Sequence, residues 1–191
     1  MPAVERLSRK KNALHKSATK KTSSGHLRAD ATRWPGMKHN CFGCSPDNAH
    51  GLRLRFEENL EDVTVSASFK IARRFEGPPG HVHGGIIATI LDEAMGKVNR
   101  QKGVVALTRH MSIDFLHPVP LNVPLRARGW VVRQEGRKHF HAGEILTPEG
   151  KVLARSTGLF IAVDPQAMFQ RYAKHLNPAS APAGETARLK G

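Results

Sequence analysis

The sequence has little of what several classes of protein need. It contains two cysteines in 191 residues, too few for a disulfide framework, so we expect a reducing compartment. It has no apolar run long enough to predict a membrane span, and no hydrophobic core of a secretory signal peptide. These shortages favour a cytoplasmic globular protein.

Acidic residues are also scarce, with 16 Asp and Glu against 30 Lys and Arg, for a net charge of +14. Residues 1–40 hold ten of the basic side chains and two of the acidic ones. Because residues 1–36 contain few large apolar side chains, we expect a disordered basic arm there. A transit peptide, which would place the protein in the mitochondrial matrix, and binding to nucleic acid or membrane phosphates are the alternatives. The arm has no recognition helix or aromatic platform, so nucleic acid is not the expected partner.

The length predicts one domain with tails, since domains of roughly 100 to 150 residues are the commonest. We place the domain at residues 37–164. Residues 165–191 follow it, with a short helix predicted from Met168 to Leu176 and then a disordered tail rich in Pro and Ala.

One long helical pattern is present, from His83 to Asn99. Its apolar residues recur with the spacing of a buried helix face: Ile86, Ile87, Ile90, Leu91, Ala94, Met95 and Val98. The opposite side carries small residues and Asp92. Gly84 and Gly85 open the helix and leave N–H groups uncovered at the positive end of its dipole. Such donors and a carboxylate are the parts of a hydrolytic site.

Two acids stand next to each other in this helix. Glu93 precedes Lys97 by four residues, the favourable order for a solvated surface ion pair. Asp92 has Met95 and Gly96 at the corresponding positions. Asp92 is therefore the better candidate for a catalytic group.

Residues that alternate between apolar and polar predict strands on both sides of the helix. The predicted strands span residues 52–56, 63–69, 104–115, 125–133, 137–146 and 151–163. Short turns join the last three, which requires antiparallel neighbours. The pattern predicts an α+β fold in which an antiparallel sheet of five to six strands curls around one central helix. A second subunit would cover the side of the helix that carries Asp92, so we expect a homodimer, or a dimer of dimers, with sites between subunits.

The run from Gly77 to Met95 resembles the helix signature of the hotdog-fold acyl-CoA thioesterases of the PaaI-like kind. The resemblance implies an acyl-CoA substrate, hydrolysis to the free acid and coenzyme A, and no cofactor or metal. It implies that Asp92, nine residues after His83, is the nucleophile or general base. It implies that the N–H of Gly84 polarises the thioester carbonyl, with His83 beside it. The same resemblance places Thr108, on the strand after the helix, near the acid across the dimer interface.

Coenzyme A carries phosphates, which favour basic partners. Arg109, Arg137 and Lys138 are the candidates by charge and position, and Gly85 is a candidate second N–H donor to the substrate. Two other functions stay open. One is an acyl-CoA hydratase or dehydratase that uses His81 and His83 for proton transfer. The other is a non-catalytic acyl-CoA sensor that contacts DNA through the basic arm.

The two cysteines form a single Cys-x-x-Cys motif, Cys41 to Cys44. A redox pair or a zinc site completed by His39 and His50 is conceivable. Turn-forming residues follow the motif, and similar openings occur in the PaaI-like relatives, so we interpret it as a compact loop that leads into the first strand.

Overall fold

The computed structural model describes residues 39–168 and residue 170. The basic arm predicted for residues 1–36 lies outside the described residues, as does nearly all of the C-terminal helix and tail. The helical residues 165–168 show that the C-terminal helix begins before Met168, where it was predicted to start. Within the described part of the chain, no helix is long and apolar enough to cross a membrane.

The described residues form one long helix and a single six-stranded sheet. The helix α1 spans Gly84–Arg100. The strands are β1 (Glu57–Asn59), β2 (Thr64–Phe69), β3 (Ala106–Phe115), β4 (Leu125–Glu135), β5 (Lys138–Leu146) and β6 (Val152–Ala162). All neighbours pair antiparallel, in the order β1-β2-β4-β5-β6-β3. This is the predicted α+β hotdog arrangement, with the sheet packed on the helix rather than closed into a barrel.

The apolar face of α1 forms the centre of the core. Ile90, Leu91, Ala94 and Val98 are fully buried, and burying each large aliphatic side chain contributes about 1.5 to 3 kcal/mol. The helix packs against every strand from β2 to β6. It lies so close to β4 that a Cβ atom on Gly129 would collide with the carbonyl oxygen of Ala94. A glycine is therefore required where helix and sheet meet.

The prediction of a strand at residues 52–56 is wrong, because β1 begins only at Glu57. The alternation did identify buried side chains, such as Leu54, which is 1% exposed. The backbone, however, is hydrogen-bonded to the loop that carries Cys41 and Cys44: the N–H of Leu54 donates to the carbonyl of Gly43 at 2.9 Å. Arg53 has a φ of +52°, which breaks the extended conformation.

Strand β3 lies at one edge of the sheet, and among the described residues only β6 pairs with it. It is ten residues long, and the apolar side chains of Leu107 and Phe115 are 52% and 57% exposed. A long edge strand with exposed apolar residues is a surface on which another strand can pair.

Candidate active site

The N-terminus of α1 presents one unpaired N–H group. His83 is the N-cap residue, with φ −61° and ψ 138°, and its Nδ1 accepts a hydrogen bond from the N–H of Gly85 at 3.0 Å. Its carbonyl accepts from Ile86 and Ile87. No hydrogen bond among the described residues uses the N–H of Gly84. Of the two donors predicted from the sequence, Gly84 is therefore available to a substrate, while Gly85 is occupied by His83.

Asp92 is paired with a hydroxyl group. The Oγ1 of Thr108 donates to Asp92 Oδ1 at 2.7 Å. Burial raises the pKa of the Asp92 carboxyl above its ordinary value, the Thr108 hydrogen bond opposes the rise, and the charge of Glu93 adds to it. A partly buried carboxyl group with a raised pKa is typical of a general base or nucleophile.

The contact between these two side chains differs in one respect from what the resemblance implied. The resemblance placed Thr108 near the acid across a dimer interface, whereas the Thr108 and Asp92 that are hydrogen-bonded here belong to the same chain. The physical reason is the short connection of residues 101–105, after which β3 packs directly against α1. The register shift at Thr108 in the β3–β6 pairing lies at this contact.

Gly84 and Asp92 of one chain are too far apart to act on the same carbonyl group. They are eight residues apart in α1, which at 1.5 Å per residue is about 12 Å along the helix axis. Proton transfer or attack needs contacts of about 3 Å. One chain therefore holds the two halves of a hydrolytic site without joining them.

An apolar groove begins at Gly84. The ring of Phe115 covers this glycine, since a Cβ atom there would lie 3.7 Å from Phe115 Cε1. Ile87, Leu116 and Val119 extend the lining, and the cavity has a volume of about 400 Å³. The sequence placed Phe115 on the apolar side of its strand but gave no sign that the ring lies beside the helix terminus.

The candidate phosphate-binding residues share one end of the sheet. Lys138 lies opposite Ile161 of β6, which in turn lies opposite Leu107 of β3. Two strand spacings of about 4.8 Å therefore separate the start of β5 from the start of β3, where Arg109 lies. One donor of the Arg137 guanidinium group is already used, since its Nε donates to the carbonyl of Ala162 at 3.0 Å.

The expectation of a solvated surface pair for Glu93 and Lys97 is half right. The pair forms, with Lys97 Nζ 3.4 Å from Glu93 Oε2, but the Lys97 side chain is only 7% exposed. The loop that carries Cys41 and Cys44 covers the ion pair: Cys41 Sγ lies 3.2 Å from Glu93 Oε1, and Lys97 Nζ lies 3.0 Å from Cys44 Sγ. The sequence did not associate the cysteines with α1, because 49 or more residues separate them along the chain.

Comparisons with known proteins identify the family of the chain. The family described as the thioesterase superfamily matches residues 79–154. The acyl-coenzyme A thioesterase THEM4 of Rattus norvegicus is 34% identical over 125 residues, which cover 65% of this chain and 54% of that protein. A crystal structure of a thioesterase superfamily protein is 30% identical with a TM-score of 0.62, covering 84% of this chain and 79% of that one. The BH2602 protein of Bacillus halodurans, solved with CoA, is 31% identical with a TM-score of 0.52, covering 59% and 76%.

The chain therefore belongs to the thioesterase superfamily and has its hotdog fold. The resemblance inferred from the helix signature is confirmed. The chain spans about half the length of the curated relatives it matches.

Proposed function

We propose that this protein hydrolyses acyl-CoA thioesters to the free acid and coenzyme A. The observation that carries the proposal is Asp92, a partly buried carboxyl group with a raised pKa that accepts a hydrogen bond from Thr108. It lies on the same helix whose first residue, Gly84, leaves an N–H unpaired among the described residues. The acyl-CoA thioesterase activity named for the rat relative and the CoA bound in the Bacillus structure support this choice of substrate.

Gly84 and Asp92 lie about 12 Å apart along the helix of one chain. A site that contains both groups therefore requires a second subunit. In a C2 dimer the Gly84 terminus of one protomer faces Asp92 of its partner, and two equivalent complete sites result. The exposed edge of β3, with Leu107 and Phe115 on it, supports a contact of this kind, because pairing two such edges would cover both. A dimer of dimers is compatible with the same sites.

Within such a site the thioester carbonyl oxygen accepts a hydrogen bond from the N–H of Gly84. A preorganised donor of this kind stabilises the transition state by about 3 to 4 kcal/mol. Asp92 either takes a proton from water, which attacks the carbonyl carbon, or attacks that carbon itself to form an anhydride that water then opens. In both routes the carbon–sulfur bond breaks and coenzyme A leaves as its thiol. Thr108 holds the carboxylate, and His83 positions the helix terminus as its N-cap.

The remaining parts of acyl-CoA have candidate surfaces as well. The acyl group fits the apolar groove beside Phe115, which begins at the glycine that would hold the carbonyl. The phosphates fit the basic side chains of Arg109 and Lys138 at one end of the sheet, with Arg137 next to them.

The two other functions receive less support from the geometry. For a hydratase, His81 and His83 would have to transfer protons to the substrate. His81 lines the groove, but its Nδ1 lies 2.9 Å from the carbonyl of Pro79, and His83 Nδ1 accepts from the N–H of Gly85 as the cap of α1. For a DNA-contacting sensor, the binding element would be the arm, which lies outside the described residues.

The direct test measures free thiol released from short-chain, long-chain and aryl acyl-CoAs by the wild-type protein. We expect thiol and free acid in equal amounts from at least one class, with a kcat on the order of 1 to 1,000 s⁻¹. Binding of acyl-CoA without thiol release from any member of the panel would contradict the proposal and favour the sensor. Loss of an enoyl-CoA without thiol release would favour the hydratase.

A second prediction concerns Thr108 and the pH dependence of the reaction. Thr108→Val removes the hydrogen bond that lowers the pKa of Asp92, so that pKa should rise further above its ordinary value. Since the ionised carboxylate is the active form, the acid limb of kcat/KM should move to higher pH. We expect kcat to fall about tenfold, the typical effect of losing one hydrogen bond to a charged group. Thr108→Ser keeps the hydroxyl and should keep the wild-type profile; an unchanged profile in Thr108→Val would contradict the assignment.

A further inference from the structure

Four side chains form a cluster on the flank of α1 that the proposed hydrolysis does not use. Glu93 and Lys97 come from the helix, and Cys41 and Cys44 come from the preceding loop. Lys97 Nζ lies 3.0 Å from Cys44 Sγ and 3.4 Å from Glu93 Oε2, and Cys41 Sγ lies 3.2 Å from Glu93 Oε1. Cys44 is buried and Cys41 is partly exposed, so one sulfur is protected and the other is accessible.

The loop backbone holds the two sulfurs close together. The N–H of Ser45 donates to the carbonyl of Cys41 at 3.1 Å, which closes one helix-like turn. Residues three apart on such a turn lie on the same side, with Cβ atoms about 5 to 6 Å apart. Both sulfurs and a carboxylate oxygen of Glu93 lie within 4.8 Å of one another. A disulfide, with an S–S bond of about 2.05 Å, is within reach through side-chain rotation and a small adjustment of the turn.

The contacts of the two sulfurs differ. A buried ammonium group needs anionic partners, and Lys97 has Glu93 on one side and a sulfur on the other. The hydrogen bond from the Cys44 thiol lowers the pKa of Cys41 to about 7, against burial and the charge of Glu93, which both raise it. The same hydrogen bond and burial raise the pKa of Cys44. Cys41 is also the partly exposed sulfur of the pair, which a peroxide can reach, whereas Cys44 is buried. Cys41 is thus the nucleophilic sulfur, and Cys44 is the neighbour that keeps its proton.

We propose that Cys41 and Cys44 form a redox-active dithiol that a hydroperoxide converts to an intramolecular disulfide. The Cys41 thiolate attacks the terminal oxygen of the hydroperoxide, the O–O bond breaks, and Cys41 becomes a sulfenic acid. The leaving group is hydroxide from hydrogen peroxide or an alkoxide from an organic hydroperoxide. The sulfur of Cys44 then attacks Cys41, the S–S bond forms, the S–O bond breaks, and the oxygen leaves as water with the Cys44 proton. The two thiols lose two electrons in all, and the peroxide gains them.

The same side chains could in principle hold zinc, and the position of Lys97 decides against it. Its ammonium group already lies within hydrogen-bonding distance of Cys44 Sγ and close to Glu93 Oε2. A divalent ion among these atoms would be placed beside a buried positive charge. The ammonium group of Lys97 therefore occupies the place of a metal ion, and the two cysteines are available for thiol chemistry.

The experiment treats the reduced 191-residue chain with hydrogen peroxide, unfolds it in denaturant so that the buried Cys44 is accessible, blocks remaining thiols with N-ethylmaleimide and measures intact mass. The reduced protein should take up two maleimides, one for each cysteine of the sequence. The oxidised protein should take up none, should have lost two hydrogens, and should recover both sites after dithiothreitol. Two maleimides on the peroxide-treated protein would overturn the proposal. So would stoichiometric zinc in the purified protein that protects the thiols until a chelator removes it.

Two variants test the assigned roles. Cys44→Ser should stop at the Cys41 sulfenic acid, which dimedone added with the peroxide traps before further oxidation; no dimedone adduct at Cys41 would contradict the assignment. Lys97→Met should slow the second step, the attack of Cys44 on the sulfenic acid, by about threefold to tenfold at pH 7. Lys97 lowers the pKa of Cys44 by its charge and its hydrogen bond, and each unit of rise in a thiol pKa removes up to about tenfold of the thiolate. Lys102→Met is the matched control, because Lys102 is exposed and bonds Gln134 instead. An equal effect of both lysine variants would contradict the role of Lys97, and if Lys97→Met does not fold, the Cys44→Ser result still decides the proposal.

Discussion

Asp92→Asn is expected to lower the kcat of thioester hydrolysis about a thousandfold while the fold stays intact. An amide neither accepts a proton at neutral pH nor attacks a thioester, so either role of Asp92 is lost. The geometry should survive, because the amide oxygen of Asn can accept the same hydrogen bond from the Thr108 hydroxyl that Asp92 Oδ1 accepts at 2.7 Å. The measurement is steady-state release of coenzyme A, with circular dichroism as the check on folding.

The matched control for this substitution is Asp114→Asn. Asp114 lies on β3, the strand that also carries Thr108, but its side chain is 53% exposed and pairs with Arg155 at 2.9 Å. We expect wild-type kcat within about twofold, since exposed ion pairs contribute little. If Asp114→Asn lowered kcat as much as Asp92→Asn, the loss would reflect a general effect of removing a carboxylate.

The same Asp92 variant should be more stable than the wild type at neutral pH. Because burial raises the folded-state pKa of Asp92 above that of the unfolded chain, its ionised form destabilises the fold once the pH exceeds that raised pKa. Below the ordinary pKa of Asp, both states are protonated and the difference should disappear. Thermal unfolding of wild type and Asp92→Asn at both pH values measures this, and a lower melting temperature for the variant at neutral pH would contradict the assigned cause.

Gly84→Pro is expected to lower kcat by about a hundredfold to a thousandfold, because it deletes the one N–H that is assigned to the carbonyl oxygen. The substitution suits the helix otherwise. Gly84 is the first helical residue, a position that proline favours. His83 before it has φ −61° and ψ 138°, within the extended region that a residue preceding proline prefers. A Cβ atom at this position meets only Phe115, at 3.7 Å.

Gly84→Ala separates the N–H from the side chain. It adds the same Cβ atom and keeps the donor, so it should retain kcat within about tenfold, with KM more affected through contact with Phe115. Comparing kcat for the Ala and Pro variants on the best acyl-CoA isolates the hydrogen bond. Equal kcat values in the two variants would show that the N–H of Gly84 takes no part in the reaction.

The sequence predicted the helix and most of the sheet because their patterns are long and periodic. The helix boundaries His83 to Asn99 differ by one residue at each end from those observed. The strand at residues 52–56 failed because alternation reports burial and not backbone pairing. There the local chain bonds to the cysteine loop, and a positive φ at Arg53 interrupts the extended conformation.

The candidate site was predictable where it depends on one element and not where it depends on several. Gly84 and Asp92 follow from the helix alone. The occupation of the Gly85 N–H by the His83 ring depends on a side-chain rotamer, and the ring of Phe115 over Gly84 depends on how β3 packs. The burial of Glu93 and Lys97 depends on a loop that lies far away in the sequence. Long-range packing of this kind has no periodic signal.

Mixed dimers show whether the thioesterase site is built from Gly84 of one protomer and Asp92 of the other. Asp92→Asn and Gly84→Pro chains, carrying different affinity tags, are expressed together, and the mixed dimer is isolated by both tags. One of its two sites then has both groups intact and the other has neither, so we expect about half of the wild-type rate of coenzyme A release per dimer. A mixed dimer as inactive as the two parent variants would contradict the shared site.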